Sequence, residues 1–266
     1  MNIKHIIITR FLCTNFNGIS DDKLLSNENI KYHFDLLKSN LLRSLSAQTT
    51  KNFELVILIH RNLKKYNKST LLSLQQLKYD FPIKLMVVSD LRDYVYGFYK
   101  NHDRVITSRI DLDDFISHNV IEELQKYSEG VQKICLYGFK DGFTMQMNND
   151  GRHLYYMKPS SYAKKEIGYL AILLSLIVNT SSIKVPCTIL DTKDHTDCIT
   201  FLKQNPQKFG LDVIDFKHYH YVNYAENQTY TYIYYRHNKS DSVRCGQKID
   251  QYNDVEIKEK YFDLFV

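Results

Sequence analysis

The first half of the chain alternates between apolar β-branched runs and helical stripes. That pattern admits little besides an α/β domain with a parallel sheet. Residues 4–11 form a β-branched run that predicts a first strand. Residues 13–29 are polar, with Asn17-Gly18 and Asp21-Asp22, and predict a loop. Phe34, Leu37, Leu41, Leu42 and Leu45 then recur at helical spacing across residues 30–46. FELVILIH, residues 53–60, is apolar almost throughout, as expected of a strand covered on both faces. A helix over 69–79, a strand over 84–89 and a fourth strand within 103–111 complete the half. That fourth strand runs directly into a cluster of acids.

The second half is less regular. Phe115, Ile116, Val120, Ile121 and Leu124 predict a helix after Asp114, and KICLYGF over 133–139 predicts a strand. Asn148-Asn149-Asp150-Gly151 between strand-like runs at 143–147 and 153–157 predicts a hairpin. The longest apolar run is IGYLAILLSLIV, residues 167–178. A membrane span needs about 20 residues, so this run predicts a core helix. Lys164 and Lys165 before it leave an interfacial helix as the alternative. A strand is expected over 184–190, and Tyr-rich strands over 217–224 and 229–236 are expected to pair as a late hairpin. Residues 254–265 read as a closing amphipathic helix. No repeat and no linker divides the chain, which predicts one domain over 1–266.

Composition narrows the class. A chain of 266 residues with 44% hydrophobic and 24% charged residues is that of a globular protein rather than a disordered one. Its net charge of +5 comes from 35 basic and 30 acidic residues, a mild excess on a mixed surface. It suits an anionic substrate or anionic lipid and does not by itself imply nucleic acid. Cys13, Cys135, Cys187, Cys198 and Cys245 are scattered and odd in number, which argues against a disulfide framework or a thiolate zinc site and for a reducing compartment. The opening apolar run is too short for a signal-peptide core and is closed by Arg10, so a cytoplasmic protein is expected.

The stretch with most chemistry is Thr107-Ser108-Arg109-Ile110-Asp111-Leu112-Asp113-Asp114. It lies where a strand ends, and ligands of open α/β sheets bind outside the carboxyl ends of strands. Asp111 and Asp113, two apart, can present both carboxylates to one side. Converging carboxylates are costly without a cation, and a hard divalent ion, Mg²⁺ or Mn²⁺, is their natural partner. The competing reading is three solvated loop acids, with Asp114 capping the next helix.

TSRIDLDD resembles the DxD region of GT-A glycosyltransferases, and in particular of a bacterial group of rhamnosyltransferases with a T-R-[LI]-D-x-D-D pattern. Other pieces resemble that family in order. They are Ile8-Thr9-Arg10-Phe11, then Leu41-Leu42-Arg43-Ser44-Leu45-Ser46-Ala47-Gln48-Thr49, then Val185-Pro186-Cys187-Thr188-Ile189-Leu190 running on to His195, and finally Tyr234-Tyr235-Arg236-His237-Asn238-Lys239-Ser240. The resemblance implies a GT-A, Rossmann-like fold. Its mixed, mostly parallel central sheet would be flanked by helices, with a nucleotide-sugar-binding half at 1–114, a hairpin-containing acceptor half at 115–245 and a C-terminal helix at 246–266.

The resemblance further implies that Asp111 and Asp113 hold the metal and that His237 is its third ligand, against the plainer reading of a surface histidine. Thr9, Arg10, Arg109 and Asp111 would bind the donor, though Arg109 equally suits a salt bridge within the acidic cluster. An inverting enzyme needs a carboxylate base. Glu166 is the first candidate and Asp191 the second, with Asp141 and Asp194 as rivals; a Glu near a helix start has an ordinary electrostatic role too. The implied activity is transfer of a sugar from a UDP-, GDP- or dTDP-linked donor to a glycan or lipid-linked acceptor in polysaccharide assembly. The protein would be cytoplasmic, or peripheral at the inner face of the membrane. The alternatives are a sugar nucleotidyltransferase, whose Gly-rich loop is replaced here by TRFLCTNFNG, and a non-catalytic nucleotide- or glycan-binding protein.

Overall fold

The computed structural model describes residues 1–13, 20–139, 143–148, 151–156, 173–183, 185–192, 204–209, 220–222 and 232–236, together with Phe201. In chain order its strands and helices are β1 (Ile3–Phe11), α1 (Asp21–Leu24), α2 (Asn27–Leu36), a π-helical turn (Leu37–Leu42) and α3 (Arg43–Ser46). They continue with β2 (Glu54–Ile59), α4 (Leu63–Tyr66), α5 (Lys68–Gln75), β3 (Ile83–Met86), α6 (Val88–Tyr96), β4 (Arg104–Arg109), β5 (Phe115–Ile116) and α7 (Val120–Ser128). The rest are β6 (Ile134–Phe139), β7 (Phe143–Asn148), β8 (Gly151–Tyr156), β9 (Leu174–Asn179), β10 (His220–Val222) and β11 (Tyr232–Arg236).

The main sheet has seven strands in the order β10-β6-β9-β4-β1-β2-β3. All neighbours are parallel except β9, which runs antiparallel to both β4 and β6. A smaller sheet has the order β5-β11-β7-β8. This is the mixed, mostly parallel sheet flanked by helices that the alternating sequence and the GT-A resemblance imply. Each central strand is buried on both faces, which explains why FELVILI has no polar alternation. Ile7, Phe11, Leu55, Ile57 and Ile106 face the layer that carries Ile30, Leu37, Leu41, Leu45 and Leu124. Ile6, Ile8, Val56, Leu58 and Val105 face Leu91 and Val95 of α6 and the segment bearing Cys187 and Ile189.

Several expectations are corrected. The apolar run at 167–178 is no core helix, because its described part is β9. A strand between two strands needs apolar residues on both faces, so its pattern cannot be told from that of a buried helix. Residues before Leu173 in that run lie outside the described residues. The described part of 184–190 forms no strand, and a 3₁₀ turn spans Ile189–Thr192 instead. The described parts of the two Tyr-rich segments, 220–222 and 232–236, do not pair with each other. β10 extends the main sheet beside β6, whereas β11 joins β5 and β7 in the small sheet. The predicted loop at 13–29 contains α1 and the start of α2, opened by the Ser26 side chain accepting from the Asn29 amide. The third strand ends at Met86, and Val88 and Ser89 already belong to α6. Phe115 and Ile116 form β5 rather than the first turn of α7.

The 143–157 hairpin is present, with Asn148 paired to Gly151 across its end. The closing helix at 254–265 lies outside the described residues. No helix among the described residues is long and apolar enough to cross a membrane.

Candidate active site at the carboxyl edge of the sheet

β1 and β4 are parallel neighbours, with Ile8 paired to Arg109. The Ile110 amide donates to the Ile8 carbonyl at 3.1 Å, so the pairing continues past the formal end of β4. Two residues further along both chains, on the same face, stand Arg10 and Asp111. Their contact follows from register: Arg10 Nη2 lies 3.2 Å from Asp111 Oδ1. Arg109 is on that face as well, and its Nη2 lies 3.7 Å from the same oxygen. Two guanidinium groups therefore converge on one carboxylate at the carboxyl edge of the sheet. Their side chains are 25% and 12% exposed, and that of Asp111 is 35% exposed, so the cluster reaches solvent.

The acids themselves form a turn. The Asp114 amide donates to the Asp111 carbonyl at 3.3 Å, closing Asp111-Leu112-Asp113-Asp114. Burial alternates along it: Leu112 and Asp114 are buried, whereas Asp111 and Asp113 are half-buried. The expectation that both carboxylates point to one side assumed strand alternation, whereas Asp111 and Asp113 stand in a turn. Asp114 does not cap α7. Asn119 occupies that position, and Asp114 is 1% exposed beneath the turn.

Thr9 Oγ1 and Arg109 Nε are buried at this edge without a hydrogen-bond partner among the described residues. Buried polar groups are nearly always satisfied. An unsatisfied N–H donor on a guanidinium beside a second guanidinium fits an anionic ligand such as a phosphate. The nearby carboxylates of Asp111 and Asp113 are the hard oxygen donors that Mg²⁺ or Mn²⁺ prefers, so this residue set fits a divalent ion together with a phosphate. Among the described residues no three His, Cys, Asp or Glu side chains converge as a complete metal site.

The backbone is strained on both sides of the cluster. Leu12, just after β1, has φ of 51°, and Leu173, just before β9, has φ of 50°. Both are buried, and β9 begins where Leu174 pairs with Arg109, so both left-handed residues flank the same edge. Non-glycine residues held in this region cost of order 1–3 kcal/mol each and cluster at ligand sites.

The acidic turn is held from below by the helix that precedes β2. The Asn40 amide donates to the Asp113 carbonyl at 2.8 Å. Ser44 Oγ lies 2.9 Å from the Ile116 amide and 3.2 Å from the Ile116 carbonyl. The Gln48 amide donates to the Ser44 and Ser117 carbonyls at 3.2 and 2.8 Å, and its oxygen accepts from the Ile121 amide at 3.3 Å. The Thr49 amide donates to the His118 carbonyl at 2.7 Å. Asn40 and one face of the LLRSLSAQT element therefore form a ladder of polar groups that fixes residues 113–121 to the helical segment before β2. Sequence reasoning singled out Ser44, Gln48 and Thr49 only as a resemblance, and it missed Asn40. The available signal was polar residues at four-residue intervals, 40, 44 and 48, inside an apolar helical stripe.

Asp191 sits apart in the 3₁₀ turn. Its Oδ2 accepts from the Thr188 amide at 2.8 Å and the Thr188 hydroxyl at 3.0 Å, and its Oδ1 lies 3.9 Å from Arg92 Nε. It closes its own turn, while the preceding Ile189 amide docks on Thr107 Oγ1 of β4 at 2.8 Å. The same segment is held at Cys187, whose carbonyl accepts from the Tyr99 hydroxyl at 2.6 Å and whose amide donates to it at 3.2 Å. Burial pushes the Cys187 thiol up to about 12, so it stays protonated. Tyr99→Phe leaves both Cys187 backbone groups without this partner. It is expected to lower stability by about 1–3 kcal/mol, read as a lower urea midpoint; an unchanged midpoint would mean that the segment is held elsewhere. Glu166, His195, His237, Asp141 and Asp194 lie outside the described residues.

Residues 20–185 match the family described as "Putative rhamnosyl transferase", well over half of the chain. The chain belongs to this rhamnosyl transferase family. The match includes Asn40, the LLRSLSAQT ladder and the acidic turn. No protein of curated function matches the sequence. Among solved structures, the chain is similar to S. aureus TarS 1–349 in complex with UDP-GlcNAc, at 12% identity and a TM-score of 0.46, over 90% of this chain and 60% of that one. It is similar also to a "putative nucleotide-diphospho-sugar transferase" from Desulfovibrio desulfuricans G20, at 7% identity and a TM-score of 0.40, over 91% and 90%. Mouse xyloside xylosyltransferase 1 is similar at 9% identity and a TM-score of 0.37, over 84% and 86%. The rhamnosyl transferase family member described here thus spans 60% of the length of that TarS fragment.

Proposed function

We propose that this protein transfers a sugar from a nucleotide-sugar donor to a glycan or lipid-linked acceptor, with Mn²⁺ or Mg²⁺ held by Asp111 and Asp113. The observation that carries this reading is the convergence of Arg10 and Arg109 on Asp111 at the carboxyl edge of β1 and β4, beside Asp113. Membership of the rhamnosyl transferase family supports it.

In this reading Arg10 and Arg109 take the donor diphosphate, which suits their forked N–H groups better than one shared carboxylate oxygen does. Asp111 and Asp113 hold the divalent ion, with His237 as a third ligand, and Thr9 faces the nucleoside. The bound ion supplies Lewis-acid stabilisation of the departing nucleoside diphosphate. Glu166 is the proposed base for an inverting reaction. Asp191 is the weaker candidate, because both of its oxygens already serve its turn and Arg92. The donor is UDP-, GDP- or dTDP-linked, and the reaction takes place in the cytoplasm, with peripheral contact at the membrane for a lipid-linked acceptor.

The test is a thermal-shift panel of UDP, GDP, dTDP and CMP, each with and without Mn²⁺. At a ligand concentration 100-fold above Kd, binding to the native state adds about 2.7 kcal/mol of stability. That corresponds to roughly 5–10 °C for a domain of this size. The expected result is a metal-dependent shift with one nucleoside diphosphate that disappears in Asp113→Ala. No shift with any nucleotide on a folded sample sinks the donor site.

A further inference from the structure

We infer that Asn40 is a positioning residue for the acidic turn, acting through the backbone of Asp113; this deepens the donor-site reading above and rests on it.

The helix between β1 and β2 is not uniformly α-helical: Leu37–Leu42 is a π turn. A π turn inserts one residue into the helix and is seldom retained without a local reason; such turns recur at functional sites. Here the neighbouring residues Leu41 and Leu42 are both fully buried, and Asn40 is 6% exposed among them. Asn is a poor residue for a buried helix interior unless its amide is satisfied. Both ends of this amide are. Its nitrogen donates to the Asp113 carbonyl at 2.8 Å, and its oxygen accepts from Ser39 Oγ at 2.7 Å. The Ser39 bond fixes which way the amide faces, so that the N–H₂ group meets the carbonyl.

The target of this bond is the third residue of the turn closed between Asp111 and Asp114. Ser44 and Gln48 fasten the chain further along, at Ile116 and beyond. Asn40 alone of the three reaches the turn that carries the two half-buried acids. Without it the peptide between Asp113 and Asp114 keeps the bond from its amide to the Asp111 carbonyl but loses the one on its own carbonyl, and a tilt of that peptide shifts the Asp113 carboxylate relative to Asp111. A displacement of about 1 Å at a binding group is enough to cost a large factor in function. Asn40 touches neither donor nor metal in this account, and its effect is carried wholly by the peptide it holds.

The experiment uses Asn40→Leu, which keeps the volume and removes the donor, and Ser39→Ala, an exposed change that only loosens the orientation of the amide. The readouts are Mn²⁺ binding by EPR and binding of the four nucleotides with and without Mn²⁺, for the wild type, both variants and Ser44→Ala. Asn40→Leu is expected to weaken Mn²⁺-dependent nucleotide binding at least 10-fold, with metal-free binding changed less than 2-fold. Ser39→Ala is expected to give a smaller loss of the same kind. Ser44→Ala, a purely structural control, is expected to lower the melting temperature without that metal-selective loss. Wild-type-like Mn²⁺ and nucleotide binding in a folded Asn40→Leu overturns the inference. If Asn40→Leu does not fold, an unaltered metal dependence in Ser39→Ala overturns it. If the wild type itself binds no nucleotide, the donor-site reading fails first and takes this inference with it, a result plainly different from a variant that behaves like a competent wild type.

Discussion

Between pH 7 and pH 5 the folded protein is expected to lose roughly 2 kcal/mol of stability through His5 alone. His5 lies in the middle of β1, 1% exposed, and burial pulls its pKa down to about 3. Its ring is part of a buried chain. The Gln125 amide nitrogen lies 3.2 Å from Nδ1 and can only donate, so Nδ1 accepts and Nε2 carries the proton. Nε2 lies 2.8 Å from Ser108 Oγ, Ser108 Oγ lies 2.6 Å from Ser175 Oγ, and Ser175 donates to the Leu173 carbonyl at 2.7 Å. Every donor in that chain has an acceptor only while His5 is neutral. The unfolded chain takes up a proton near the ordinary value of 6.5 and the folded chain does not. The stability is therefore intact above pH 6.5 and is lost progressively as the pH falls towards 3. Urea midpoints of the wild type and His5→Gln at pH 7 and pH 5 check this, since carboxylate titration is common to both. The stability gap between the two proteins should shrink by about 2 kcal/mol; a constant gap would show that His5 titrates normally.

Gln48→Leu is expected to cost about 3 kcal/mol or more at neutral pH. The Gln48 side chain is 3% exposed and bonds two carbonyls and one amide from three places in the chain. Leu fills much of the volume but leaves those buried groups without their partner, at about 1–3 kcal/mol each where nothing replaces it. Gln48→Glu is expected to be worse at pH 7, because a carboxylate then faces the Ser44 and Ser117 carbonyl oxygens. It should recover part of the loss as acid protonates it. Denaturant midpoints for both variants decide the matter. A loss below 1 kcal/mol in Gln48→Leu would mean that the acidic segment is held without the ladder.

The legible parts of the fold are those in which one residue pattern has one structural solution. β1, β2 and β4 were visible as apolar runs because both faces of each are covered, and the 143–157 hairpin was visible because Asn-Asp-Gly suits few other conformations. β9 reads as a helix because a twelve-residue run interrupted only by Gly168, Tyr169 and Ser175 carries no clear period; its neighbours, β4 on one side and β6 on the other, make its described part a strand. β10 and β11 were legible as strands, but their partners were not, since Tyr-rich segments near in sequence pair by register with β6 and β7 instead. At the candidate site, the position of Asp111 and Asp113 just past the end of β4 was legible from the sequence. The contact between Arg10 and Asp111 was not, because it depends on the parallel register of two strands about a hundred residues apart. The competing reading of Asp114 as a helix cap fails because the two-residue strand β5 separates it from α7.

The placement of β9 has a consequence for how the chain is made. Among the described residues β9 joins β6 to β4, yet it comes after both of them in the sequence. As the polypeptide leaves the ribosome, β1 to β4 can already associate, but β4 presents a bare edge with Val105 and Ile106 until β9 arrives. At synthesis rates of about 5–20 residues per second that interval lasts several seconds. An exposed apolar strand edge is a template for pairing with another chain. The nascent protein is therefore most open to misassembly in the interval between β4 and β9, when the half that carries Arg10 and Asp111 is complete and the strand that seals it is still unmade.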